Sequence, residues 1–219
     1  MPTVRPSLCL LLTALVAAPV HAQAVNPLGG DTRAPQERAA GAVAAPAQSR
    51  GKLEPDPASG GVVFTDEAGW YRFVMANGGT TSREGSMRTF QFESGGQKAV
   101  CLTISMANNA FAKFSMEQIQ AELDTLYTPF EPAVTANNGT TILERKSITL
   151  DATGQRNAAP LRVLGWDTRD NAGNLLTYTL APLPAGQLLF ACGVGSASHA
   201  REIIQRYLRI AEGGLIPAR

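Results

Sequence analysis

Histidine is almost missing from this 219-residue chain, with two copies, and cysteine is scarce, with three. Charge of neither sign dominates, with 19 Lys and Arg against 18 Asp and Glu, and aromatics make up 6%. Each scarcity closes off a class of function. So few imidazoles and thiols, set far apart, leave no ligand pair at zinc spacing. A chain with almost no net charge lacks the electrostatic footprint that nucleic acid or an acidic membrane surface selects. The apolar run from Leu8 to Val20 is shorter than the roughly 20 residues of a membrane-spanning helix.

That run instead has the pattern of an export signal, with Arg5 before it and the small residues around Val20-His21-Ala22 after it. Cleavage after Ala22 is expected, and with it a periplasmic or secreted location and no integral membrane segment. Cleavage also thins the inventory. Cys101 and Cys192 remain as the two cysteines, His199 as the single histidine, and without Arg5 the cations and anions balance.

The stretch "LLFACGVGSASHA" (188–200) has the look of a catalytic loop. Its parts do not assemble into one. A serine or cysteine nucleophile needs a base, and His199, at the start of a helix with Ser198 as its expected cap, has no partner in sequence. Cys192 aligns with Leu188, Phe190 and Val194 on an inward strand face, which makes a thiol inert. Ser196 and Ser198 lack the flanking glycines of a nucleophile elbow. "GVGSAS" lacks both the third glycine of a dinucleotide loop and the lysine of a P-loop. In "DTRDNAG" (167–173) Arg169 stands where a calcium loop needs an oxygen ligand. No catalytic residue, metal or cofactor is expected.

Residues 23–60 read as a linker. Half of them are Ala, Pro or Gly, none is aromatic, and such a segment cannot bury enough apolar surface to offset its ordering entropy. Residues 61–219 suit one domain. Strands are expected at 70–75, 87–94, 98–106, 140–150, 161–169, 174–181 and 187–194, with Gly95-Gly96, "DNAG" and "PLPAG" as hairpin turns. In the third strand Val100, Leu102, Ile104 and Met106 are the expected core face. "SMEQIQAELDTLY" reads as a helix with a Ser115/Gln118 capping box, closed by Pro129. A last helix over "HAREIIQRYLRIAE" stops at Gly213-Gly214. The order β-β-β-α-β-β-β-β-α gives an α+β fold: an antiparallel sheet of six to seven strands with two amphipathic helices packed on it.

The ending "TYTLAPLPAGQLLFACGVGSASHAREIIQRYLRIAEGG", a hairpin leading through a polar turn into a closing helix, resembles the end of PsbP-like α/β/α domains. The resemblance implies a non-catalytic binding or assembly module and carries over no functional residues. Two thiols in an oxidising compartment, each on a strand, point to a Cys101–Cys192 disulfide, provided the two face the same side of the sheet. Aromatic and charged residues at strand ends, Trp70, Tyr71, Arg72, Trp166 and Asp167, are the binding candidates, with core packing as the competing role of each tryptophan. The expected function is an exported binding, assembly or inhibitory module for an unidentified protein or small molecule. The alternative is a small secreted hydrolase whose carboxylates one sequence cannot pair.

Overall fold

The computed structural model describes residues 51–57, 59–135, 140–150 and 160–210. The expected export signal, the expected linker over residues 23–50 and the expected helix stop at Gly213-Gly214 lie outside them. The chain is β-rich and antiparallel, with more elements than the expected six to seven strands and two helices. A small sheet has the order β1 (Gly51–Asp56), β2 (Gly61–Asp66), β3 (Tyr71–Met75), β12 (Leu208–Ile210). A large sheet is built from β4 (Gly79–Glu84), β5 (Met87–Ser94), β6 (Gln97–Ala107), β7 (Thr141–Arg145), β8 (Ile148–Leu150), β9 (Leu161–Arg169), β10 (Leu175–Leu183) and β11 (Gly186–Gly193). Its order is β4-β5-β6-β11-β10-β9-β7, with β8 also on β9. The helices are α1 (Met116–Ala121), α2 (Tyr127–Thr135), joined to α1 through a 3-10 turn at Leu123–Leu126, and α3 (Ala197–Tyr207). None of the described helices is long and apolar enough to cross a membrane.

Register assigns the faces of the large sheet. Phe90, Cys101, Cys192, Thr177 and Asp167 are directly opposite one another across successive strands and so share one face. The small sheet packs on this face, with the Phe73 ring 4.8 Å from that of Phe90 and 5.0 Å from that of Phe190. Further along, α3 buries Ala200, Ile203 and Ile204. The opposite face carries Trp166, Leu164 and Leu180 and is covered by α1, the 3-10 turn and α2. There Tyr127 meets Trp166 edge-on at 5.2 Å, and Gln120 bonds both backbone groups of Arg162.

Several expectations change for physical reasons. Gly51–Asp56, assigned to the linker, is a strand. Half of its six residues are exposed and none is buried, so full-length pairing with β2 rather than burial holds it. The β6 face is inverted. Ala99, Cys101 and Thr103 are buried, whereas Val100, Leu102 and Ile104 are only partly covered and Met106 is 36% exposed. The phenylalanines of neighbouring strands fill the space between the sheets, so β6 contributes small side chains there.

The expected strand 140–150 breaks in two because Lys146 donates to the Gly165 carbonyl, an approach so close that a Cβ on Gly165 would collide with the Lys146 carbonyl. The Ser115/Gln118 capping box forms, but Pro129 does not end the helical segment. It lies in the first turn of α2, where its missing N–H has no intrahelical partner to lose. Ser196 rather than Ser198 is the N-cap of α3, its hydroxyl accepting from the His199 N–H, and the helix ends early because Leu208–Ile210 pairs with β3.

Candidate functional site

Where the two sheets meet, a cleft of about 190 Å³ is lined by Asp66, Glu67, Ala68, Tyr71, Arg83, Ser86, Arg88, Thr103 and Ser105. Ala68 is its one aliphatic member. One wall is the β2–β3 turn. Gly69, at φ 72°, lets the chain reverse, and its N–H bonds the Asp66 carbonyl at 2.9 Å. The Asp66 carboxylate accepts from the Trp70 N–H at 3.4 Å. The other wall is the β4–β5 hairpin and β6. Its two-residue turn, Gly85-Ser86, uses a left-handed glycine, and Arg83 donates from Nε to the Gly85 carbonyl at 2.8 Å. Arg83, Arg88 and Thr103 are successive register partners on β4, β5 and β6 and thus form one row beneath the cleft.

The floor is buried and polar. Arg88, 4% exposed, lays its guanidinium 4.2 Å above the Phe64 ring and donates to the Thr81 hydroxyl. Thr103 donates to the Tyr71 hydroxyl at 2.8 Å. Burial lowers the pKa of Arg88, with the repulsion of Arg83 adding to it and Tyr71 and Asp66 opposing. Burial also holds the Asp66 carboxyl above the ordinary carboxylate range, only partly offset by the N–H groups of Trp70 and Ala68 and the charge of Arg88.

Tyr71 is pushed up to about 12, again chiefly by burial. The fold therefore favours the neutral phenol, and that stability is whole below pH 10 and drains away as pH rises towards about 12. Tyr71→Phe is expected to cost roughly 1 kcal/mol at pH 7 through the stranded Thr103 hydroxyl. The same variant is expected to lose less stability than the parent between pH 10 and 12 when unfolding is followed across that window.

Of the five sequence candidates, Tyr71 lines the cleft. Trp70 is 8% exposed and closes over the β10–β11 hairpin, its ring edge 2.7 Å from where a Gly186 side chain would begin. Arg72 is half-buried on β3, across from Arg209 of β12. Trp166 is fully buried beneath α2. Asp167 is buried on the opposite face of β9, where Thr177 donates to it at 2.8 Å and Arg201 from Nε to both its oxygens at 2.9 Å. The structure therefore does not gather the five into one site. Asp66, Arg83, Arg88 and Thr103 escaped the sequence reading. A signal for Arg88 was there: in "RTFQF" it shares the inward stripe of Phe90 and Phe92, where a charged side chain is out of place unless it serves something.

His199 is not without a partner, as the sequence suggested. Its Nε2 lies 3.0 Å from the Ser94 hydroxyl, at the end of β5, and the bare backbone of Gly95 admits the imidazole, since a Cβ there would sit 2.9 Å from Cε1. A hydroxyl–imidazole pair is the beginning of an acyl-transfer site, which also needs a group orienting the other ring nitrogen and donors for the oxyanion. Among the described residues no ion pair joins His199 to a carboxylate. The pair ties the β5–β6 turn to α3.

Cys101 and Cys192 meet the sequence expectation. They lie directly opposite on β6 and β11 with Cα atoms 4.1 Å apart and are disulfide-bonded. No protein-family model and no curated protein matches the sequence.

Proposed function

We propose that the chain is an exported binding module, periplasmic or secreted, that receives a small polar ligand or a partner's polar group in the cleft between its sheets and performs no chemistry on it. The observation that carries this reading is the convergence of charged and hydroxyl side chains on one buried floor, held there against desolvation. Burying the Arg88 guanidinium over the Phe64 ring and desolvating the Asp66 carboxyl both detract from stability, and charged groups perturbed in this way cluster at functional sites. The PsbP-like resemblance, which implies a binding or assembly role, agrees with it.

Asp66→Asn supplies a check on that cost. A carboxyl whose folded pKa is raised contributes stability below its unfolded pKa and loses it as pH rises through the folded value. The amide is therefore expected to melt above the parent at pH 7, with the difference closing near pH 3, as measured by thermal unfolding at both pH values.

The rival is a hydrolase, and the Ser94–His199 contact is its specific support. A photo-reactive phenylalanine analogue placed at Ser86, on the cleft rim, in the full chain expressed in its own host separates the two. An adduct at 86 and none at Glu117, on the exposed side of α1, is the expected result. No adduct at 86 together with no ligand bound by the isolated chain, or an ester-hydrolysing activity that disappears in a folded His199→Ala variant, overturns the binding reading.

A further inference from the structure

The charges of the cleft are sorted by wall. Asp66 and Glu67 come from the β2–β3 turn of the small sheet, and Arg83 and Arg88 from the β4–β5 hairpin of the large one. Among the described residues neither Asp66 nor Arg83 belongs to an ion pair, so these two opposite charges border one cleft without closing it. Arg83 is oriented by its Nε bond to Gly85, and Asp66 by the Trp70 N–H.

We propose that the cleft binds a small zwitterion of the free α-amino-acid type, its ammonium directed to the Asp66 wall and its carboxylate to the Arg83 wall. The proposal rests on the binding reading above and names its ligand class. Size supports it, because about 190 Å³ is below the roughly 300 to 1,000 Å³ of sites for drug-sized ligands. Lining supports it too. Tyr71, the single aromatic residue of the cleft, is 1% exposed with its ring tilted against Phe64, so no open aromatic plate is offered to a sugar ring. A phosphate or other simple anion would meet Arg83 and Arg88 but face two carboxylates across the cleft. A molecule carrying both charges satisfies both walls, and the hydroxyls of Ser86 and Ser105 serve the remaining polar atoms. With Ala68 as the one aliphatic lining residue, a ligand with a short side chain is favoured.

Isothermal titration of the full chain with glycine, alanine and serine tests this directly, alongside N-acetylglycine and glycinamide, which each lack one charge. At least one amino acid is expected to bind below about 10 mM, with each blocked compound weaker by about tenfold or more. Asp66→Asn and Arg83→Gln are each expected to weaken binding by about tenfold while melting cooperatively. Blocked compounds that bind as well as glycine, or glucose or inorganic phosphate binding in place of the amino acids, overturn the zwitterion assignment and leave the cleft as a site. No binding by any probe together with an adduct at Ser86 overturns the assignment in the same way. No binding and no adduct overturn both readings.

Discussion

Removing the Cys101–Cys192 bridge is expected to lower the free energy of unfolding by about 4 to 5 kcal/mol, the value the chain-entropy model assigns to a loop of this length. The two cysteines are 91 residues apart in sequence and immediate neighbours in the sheet, so the bond joins β6 to β11 at the centre of the eight-stranded order. In the unfolded chain it removes every conformation in which those strands drift apart. Against a total of about 5 to 15 kcal/mol for a typical domain, this is a large share. Both sulfurs are fully buried, so the comparison is best made between the oxidised chain and Cys101→Ala/Cys192→Ala, whose unfolding also includes a smaller loss of packing. Guanidinium titration is expected to show a much lower midpoint for the double variant. An unchanged midpoint, or two titratable thiols in the denatured, unreduced parent, contradicts the account.

Arg201→Met is expected to destabilise by about 3 to 5 kcal/mol, because it leaves the Asp167 carboxylate buried beside Thr177 without its cation. Arg201 is 15% exposed and Asp167 9%, and the bond to Asp167 is the main cause that raises the Arg201 pKa. Glu144 on β7 adds a second carboxylate at 2.8 Å. The same kind of pair at the surface, Arg162 with Asp124 at 39% and 67% exposed, is worth no more than about 1 kcal/mol. Burial makes the difference. Asp167→Asn combined with Arg201→Met is expected to recover a large part of the loss, since no uncompensated charge remains. Chemical unfolding of the single and double variants checks this, and equal stability of the two would show that Arg201 acts through packing alone.

The sequence made some elements legible and hid others for definable reasons. The meander of β9, β10 and β11 was readable because turn chemistry marks each reversal, and Leu183 and Gly186 do flank a two-residue loop. Ser115 and Gln118 announced α1 because a capping box is a local device. The fate of Gly51–Asp56 was not local: an exposed edge strand is held by backbone bonds, to which an Ala/Pro/Gly-based reading is blind. Alternation in β6 was legible, but its sense was not. Which face turns inward depends on what the neighbouring strands put there, and Phe90 and Phe190 had already filled the gap. The cleft suffered most. Asp66, Arg83, Arg88 and Thr103 come from four strands of two sheets, and nothing in their spacing marks them as neighbours.

The recognition role of the cleft is tested most directly by determining the crystal structure of the chain grown with the best-binding amino acid at saturating concentration. The account predicts non-protein density between Asp66 and Arg83, of amino-acid size and in contact with both. Bound density seated instead against Ser94 and His199, with only solvent in the cleft, would contradict it.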